Sequence, residues 1–391
     1  MKKHDFVRTP LVYLVFMALL ANTAVAEEQH NHMQMQDDSV MIVTAPVSSP
    51  MEVVTSPKTP RQPVPASDGS DYLKTIPGFS QIRNGGTNGD PVFRGMFGSR
   101  LRLLTNNGEM LGACPARMDA PSSYISPESF DLLTLIKGPE TVLWGPGNSA
   151  GTIRFEREQP RFDKPGIQGT ASLLAASNNR WDENADISLG SEDGYLRLTG
   201  NKSRSYDYKD GNGDRVPSKW DKWNGDMALG WTPDKDMLVE LTAGKGDGDA
   251  RYAGRSMDGS QFKRESLGAR FDKSNIGDVF DKFEANVYYN YSDHIMDNYS
   301  LRSPGSGMSR GMSGRDMSGS MGSSMDSGSS MNMAMPMAME LDRRTVGGRM
   351  MGTWNWSDFE LRSGADTQLN THRSKGDDIW TKDARFHDYG L

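Results

Sequence analysis

One cysteine, Cys114, stands in the 391-residue chain, four residues before Met118, in a sequence that holds 25 methionines. A lone thiol in an exported protein has no disulfide partner, so its presence needs another reason. Thiolate and thioether together are soft donors, the combination that selects Cu(I) over harder ions. The same spacing also suits a small buried apolar thiol beside a methionine that fills a gap. A second pair stands far along the chain, at His294 and Met296. There Phe283, Ala285, Val287, Tyr289 and Tyr291 alternate with Glu284, Asn286, Tyr288, Asn290, Ser292, His294 and Met296. Successive side chains of a strand point to opposite faces, so His294 and Met296 share one side. In a barrel the first set meets lipid and the second meets the lumen. A polar histidine lining a lumen near a loop would leave the same pattern. If the domain around Cys114 fills that lumen, however, Cys114, Met118, His294 and Met296 become four ligands for one ion. Zinc does not normally recruit methionine, and Ca²⁺ and Mg²⁺ want oxygen. Cu(I) is the ion left.

More soft donors lie outside these pairs. Residues 301–340 are dominated by Gly, Ser and Met and hold ten methionines, closing with Met331, Met333, Met335, Met337 and Met339 at alternate positions. Alternate methionines fit one face of a strand, but their setting among Ser, Gly and Pro336 favours a flexible loop. His30, His32, Met33 and Met35 form a smaller group near the N-terminus. Both groups are expected to collect Cu(I) weakly. A low-complexity expansion would explain the repetition, though not the choice of methionine.

The elements that must position these residues divide the chain. Residues 1–26 read as a cleaved signal peptide: Lys2 and Lys3, an apolar run from Leu11 to Leu20, then Ala24-Val25-Ala26. That run is too short to span a bilayer as a permanent helix. A net charge of −7 argues against nucleic acid as a partner. Residues 27–70 form a polar leader, broken by the β-prone run Asp38-Ser39-Val40-Met41-Ile42-Val43-Thr44-Ala45, which could add as a strand to another protein's sheet edge or be incidental. Residues 71–165 read as a compact mixed α/β domain. It has a helix over Asp71–Ile76, strands at Val92–Arg94, Leu101–Leu104 and Leu132–Lys137, and Gly-rich loops without a Walker lysine.

From residue 166 the pattern changes to period two, as in Met237, Val239, Leu241 and Ala243. Tryptophans flank short turns at Trp231–Asp236 and Trp354–Phe359, as an aromatic girdle requires. Longer polar segments, Tyr206–Trp220 and Gly244–Phe262, are expected to be loops at the opposite end. A soluble β-sandwich would not need tryptophans at its turn edges. Asp210, Asn212 and Asp214 imitate the start of a calcium loop, but Arg215 occupies the glycine position, which predicts a solvated loop. No serine triad or acid–base carboxylate pair stands out, so no enzyme is expected.

These segments carry a resemblance. Tyr72–Gly78, Asn88–Gly95, and Ile136–Pro139 through Leu143–Gly147 to Gly151–Ile153 are similar to the plug landmarks of the TonB-dependent outer-membrane receptors. Within them the chain resembles the Pseudomonas-type copper receptors. The resemblance implies a mainly β fold: an N-terminal mixed α/β plug domain within a 22-stranded antiparallel transmembrane β-barrel, monomeric, in the outer membrane of a Gram-negative cell. It implies that residues 39–45 are a TonB box, that TonB is the partner, and that the inner-membrane proton gradient powers uptake. It also implies a copper ion, as Cu(I), on Cys114, Met118, His294 and Met296. Two alternatives stay open: another cargo such as a siderophore or cobalamin, or a periplasmic copper-binding or storage protein. Roughly 225 residues follow the plug, whereas 22 strands of about ten residues need about 220 before any loop. Eight to ten strands are therefore expected at 166–391, part of a barrel. The reading is a fragment or a truncated product, inactive alone because open sheet edges are costly in lipid.

Overall fold

The structure, a computed structural model, describes residues 51–139, 142–145, 149–302, 336–376 and 378–391. The expected signal peptide, the run Ser39–Ala45, and His30, His32, Met33, Met35, Met331, Met333 and Met335 lie outside the described residues.

The N-terminal part is built from β1 (Glu52–Thr55), α1 (Gly69–Leu73), β2 (Phe79–Ile82), β3 (Asp90–Phe93), β4 (Met96–Phe97), β5 (Leu101–Thr105), β6 (Gly108–Glu109), β7 (Leu132–Lys137) and β8 (Gly151–Glu156). Its main sheet has the order β1-β7-β8-β5-β6, with β5 and β8 parallel and the other pairs antiparallel. Leu133 and Leu135 on β7 and Ile153 and Phe155 on β8 are sealed from solvent, each side chain contributing about 1.5–3 kcal/mol by burial. The helix starts two residues before its expected position because Asp68 caps it, accepting from the Asp71 N–H at 2.9 Å. It ends earlier too, the Thr75 and Ile76 N–H groups closing tighter turns on Tyr72 and Leu73. One boundary also moves. Glu52–Thr55, expected in the leader, is the edge strand of this sheet, with Val53 opposite Leu135 and packed on the core. A four-residue strand with half its side chains exposed leaves too short an alternation to be read.

The remainder is one antiparallel sheet of ten strands: β9 (Gly166–Ala176), β10 (Arg180–Ser191), β11 (Gly194–Ser205), β14 (Trp220–Trp231), β15 (Met237–Ala250), β16 (Asp258–Lys273), β17 (Phe280–Asp297), β18 (Ala338–Trp356), β19 (Phe359–Gly376) and β20 (Ile379–Gly390). A small hairpin, β12 (Tyr208–Lys209) with β13 (Arg215–Val216), stands between β11 and β14. Leu229, Leu241, Leu267, Val287 and Val346 face outward and are exposed, while Arg197, Arg264, Asn286, Asn290 and Asn370 face inward and are buried. Apolar outside and polar inside is the pattern of a wall set in lipid. Trp231 and Trp356 stand exposed beside the short turns, as the girdle reading expects. The strand count reaches the top of the expected range.

Two expected loops are partly strand. β15 runs on to Ala250 and β16 begins at Asp258, so Gly244–Phe262 contributes only a short connection. Above the apolar belt both faces of a strand meet polar surroundings, and the alternation that betrays a strand vanishes. Tyr206–Trp220 holds the β12–β13 hairpin, whose tip Asp210 braces by accepting from the Asn212 and Asp214 N–H groups. Likewise β18 begins at Ala338, so Met339 sits on a strand at the end of the expected Met-rich loop.

The first part packs on the inner face of the wall. A single apolar cluster takes Leu73, Ile76, Phe93, Met110 and Tyr124 from the plug and Tyr252, Phe262, Met296 and Leu341 from the wall. Neither body completes this core alone.

Candidate metal centre

Cys114 lies in a turn that the plug folds against itself. The Arg117 N–H donates to the Cys114 carbonyl at 2.9 Å, and Arg117 holds a left-handed φ of +56°. That conformation is costly for a residue other than glycine, and a forked ion pair between the Arg117 guanidinium and Asp90 holds it, one arm at 2.8 Å. Asp119 closes the turn from below. Its fully buried carboxylate accepts from the Ala113 N–H at 2.6 Å, the Cys114 N–H at 2.8 Å and the Tyr124 hydroxyl at 2.7 Å. Only glycine fits at 112, where a Cβ would stand 2.0 Å from the Asp119 carbonyl oxygen.

The wall then fixes the turn in place. On β17, Asn290 Nδ2 donates to the Glu109 carbonyl at 2.8 Å and Ser292 Oγ to the Leu111 carbonyl at 2.9 Å. From β19, His372 Nε2 reaches the Ala113 carbonyl at 2.6 Å. The next inward residues of β17 are His294 and Met296, on the side that the alternation predicts, and both are buried.

His294 is oriented by its surroundings. A register shift in β16 between Gly259 and Gln261 turns the Gln261 carbonyl toward the ring. His294 Nδ1 lies 2.8 Å from that oxygen, and a carbonyl only accepts, so Nδ1 carries the hydrogen. Nε2 is buried with no hydrogen-bond partner among the described residues. Phe262 lies against the imidazole, ring centroids 4.6 Å apart. A ring pinned through one nitrogen with the other bare is prepared as a ligand.

The sulfur of Cys114 lies 3.8 Å from the sulfur of Met296. Two sulfurs on one tetrahedral ion, with bonds of about 2.3 Å, stand about 3.8 Å apart. Ligand atoms of Cys114, Asp119 and His294 all fall within 4.8 Å of one another. Met118 is buried in the same cluster as Cys114 and Met296. Of the four residues singled out in the sequence, Cys114 of the plug is thus brought to His294 and Met296 of the wall, and Met118 lies in the same buried cluster. Burial pushes the Cys114 thiol up, backbone N–H groups of Met118 and Ala116 pull it back, and the Asp119 charge adds to the rise. The thiol is therefore held protonated in the free protein.

Met337 and Met339 sit at the loop end of the wall, both exposed. Met339 is directly opposite Met296 in register, which puts the two on one face. Asp119, Tyr252 and the Gln261 carbonyl were not singled out in the sequence. An aspartate one residue past Met118 was the only available signal, and a backbone carbonyl leaves none.

The model of the TonB-dependent receptor plug domain matches residues 44–152, a range that includes β1. Among solved structures, copper transporter OprC is 61% identical, with a TM-score of 0.79, covering 88% of this chain and 51% of that chain. The FrpB iron transporter from Neisseria meningitidis is 15% identical with a TM-score of 0.61, over 83% of this chain and 48% of that one, a likeness of fold alone. A hemin receptor of Yersinia pestis is 26% identical over 91 residues, 23% of this chain and 13% of that protein. The chain spans about half the length of the solved structures it matches.

Proposed function

We propose that the chain is a TonB-dependent outer-membrane receptor, as the match of residues 44–152 to the plug model supports, and that it serves copper import, taking the ion as Cu(I) on Cys114, Met118, His294 and Met296. The observation that carries this reading is the buried contact of Cys114 with Met296 beside the bare Nε2 of His294. A thiolate, two thioethers and one imidazole suit a soft monovalent ion and no hard one. Similarity to a copper transporter over most of this chain supports it. The centre lies toward the loop end of the wall, the side from which an outer-membrane receptor meets its cargo.

Met337 and Met339 then act as auxiliary collectors on the approach to Met296, together with Met331, Met333 and Met335. His30, His32, Met33 and Met35 do the same work near the N-terminus. Ser39, Val40, Met41, Ile42, Val43, Thr44 and Ala45 form the TonB box, which pairs with TonB as an added strand. TonB couples the monomeric receptor to the proton gradient of the inner membrane.

The test is the copper content of protein purified in detergent, measured by mass spectrometry. Cys114→Ala is expected to lose the stoichiometric ion. Unchanged stoichiometry, or growth rescue by an iron chelate and not by copper, overturns the reading.

A further inference from the structure

Met118 receives its place from the wall as well as from its own turn. The short connection between β15 and β16, residues 251–257, grips the plug at several points. Gly85 and Tyr252 form an isolated β-bridge. Arg255 Nε donates to Asn84 Oδ1 at 2.9 Å, and Arg255 Nη2 to the Ala116 carbonyl at 3.2 Å. The Tyr252 hydroxyl donates to the Met118 carbonyl at 2.8 Å and accepts from Asn88 Nδ2 at 3.2 Å. Tyr252 is fully buried.

This connection is itself locked. Asp258 accepts from the Tyr252 N–H at 2.8 Å and takes a forked ion pair from Arg302, one arm at 2.7 Å. The same guanidinium donates to the Tyr252 carbonyl at 2.7 Å and the Arg255 carbonyl at 3.2 Å. Arg302 and Asp258 are both buried. A planar fork with five donors can serve these acceptors at once, and an ammonium cannot.

We infer that Tyr252, held by Asp258 and Arg302, is a positioning residue of the metal centre that sets Met118 as its fourth ligand. This rests on the reading of Cys114, Met118, His294 and Met296 as the centre. Without the hydroxyl, the Met118 carbonyl loses its anchor on the wall, and the side chain loses the backbone hold that keeps it in the buried cluster with Cys114 and Met296. Arg302 adds a second level, since the residues that lead into the Met-rich segment are bolted to the clamp that holds Met118.

The test is a double-mutant cycle on the detergent-purified protein, reading Cu(I) affinity by competition with a chromophoric chelator and sulfur ligation by X-ray absorption. Tyr252→Phe is expected to weaken Cu(I) binding about tenfold, the loss of one buried hydrogen bond, and to lower the sulfur count from three to two. In a Met118→Ala background the same change is expected to cost nothing further. Arg302→Lys is expected to reproduce the Tyr252→Phe phenotype. An equal loss in both backgrounds, or an unchanged sulfur count in Tyr252→Phe, overturns the inference. If Met118→Ala alone leaves affinity and sulfur count unchanged, it is the ligand set that fails.

Discussion

A fully buried imidazole with one nitrogen bonded and the other bare carries a standing cost unless something fills the vacancy. His294 is in that position, with the Cys114 sulfur and an Asp119 carboxylate oxygen within 4.8 Å of a ring nitrogen. Cys114 adds a second condition, because a metal ligates the thiolate and the thiol here is held protonated. Each ion bound must therefore displace one proton. The free thiol lies above its ordinary range, so binding should strengthen with pH, by about tenfold per unit across neutral pH for one proton released. Cu(I) competition titrations at several pH values measure this, and a flat profile would mean the sulfur binds without losing its proton. The proposed ligand pairs stood out in the sequence because each is a short-range pattern: a thiol with no partner, and two side chains at strand period. Their supports were not. Asp119 is one acidic residue among 51, and what Gln261 contributes is a carbonyl oxygen that any residue would carry.

At the scale of elements, the centre depends on an irregularity. The shift in β16 aims the Gln261 carbonyl at His294, and Gly259 gives the room. A Cβ at 259 would stand 2.1 Å from the Phe262 ring and 3.2 Å from His294 Cε1. Gly259→Ala is expected to push Phe262 into the imidazole and weaken Cu(I) binding tenfold or more, at a cost of about 1–3 kcal/mol for overpacking. The barrel sheet should survive, so β-content by circular dichroism stays level while affinity falls; intact affinity would refute the role of the bulge. The strands themselves were legible wherever lipid on one side and polar groups on the other enforce alternation, as in β17. They were illegible where that contrast ends, as in the upper part of β15, or where the strand is too short, as in β1.

At the scale of the molecule, plug and wall meet through charge as well as through apolar surface. Arg197 on the wall pairs with Asp186 and reaches Asp131 of the plug at 2.8 Å, while Lys58 of the plug touches both carboxylates at 2.6 Å. Burial pushes the Asp131 carboxyl up, but Lys58 and Arg197 more than offset it and leave it below the usual range. A lowered carboxyl contributes stability above about pH 4 that is lost as pH falls through the folded value. Arg197→Ala should therefore loosen the plug by about 3 kcal/mol, the cost of breaking a buried pair, and flatten the response to acid. Proteolysis of the plug in increasing urea, at pH 7 and pH 4, reads both effects; equal resistance in variant and parent would discount this contact.

The division of the ligands has a mechanical side. Two of the proposed ligands belong to one body and two to the other, so a bound ion is a rivet through both. A loaded plug should resist withdrawal more than an empty one, by the strength of the bonds that cross the seam. Slide the plug by a few ångströms and the set splits into a thiolate–thioether pair and an imidazole–thioether pair, neither of which encloses an ion. On the proposed reading, movement and release would be a single event, with no separate step to free the ion.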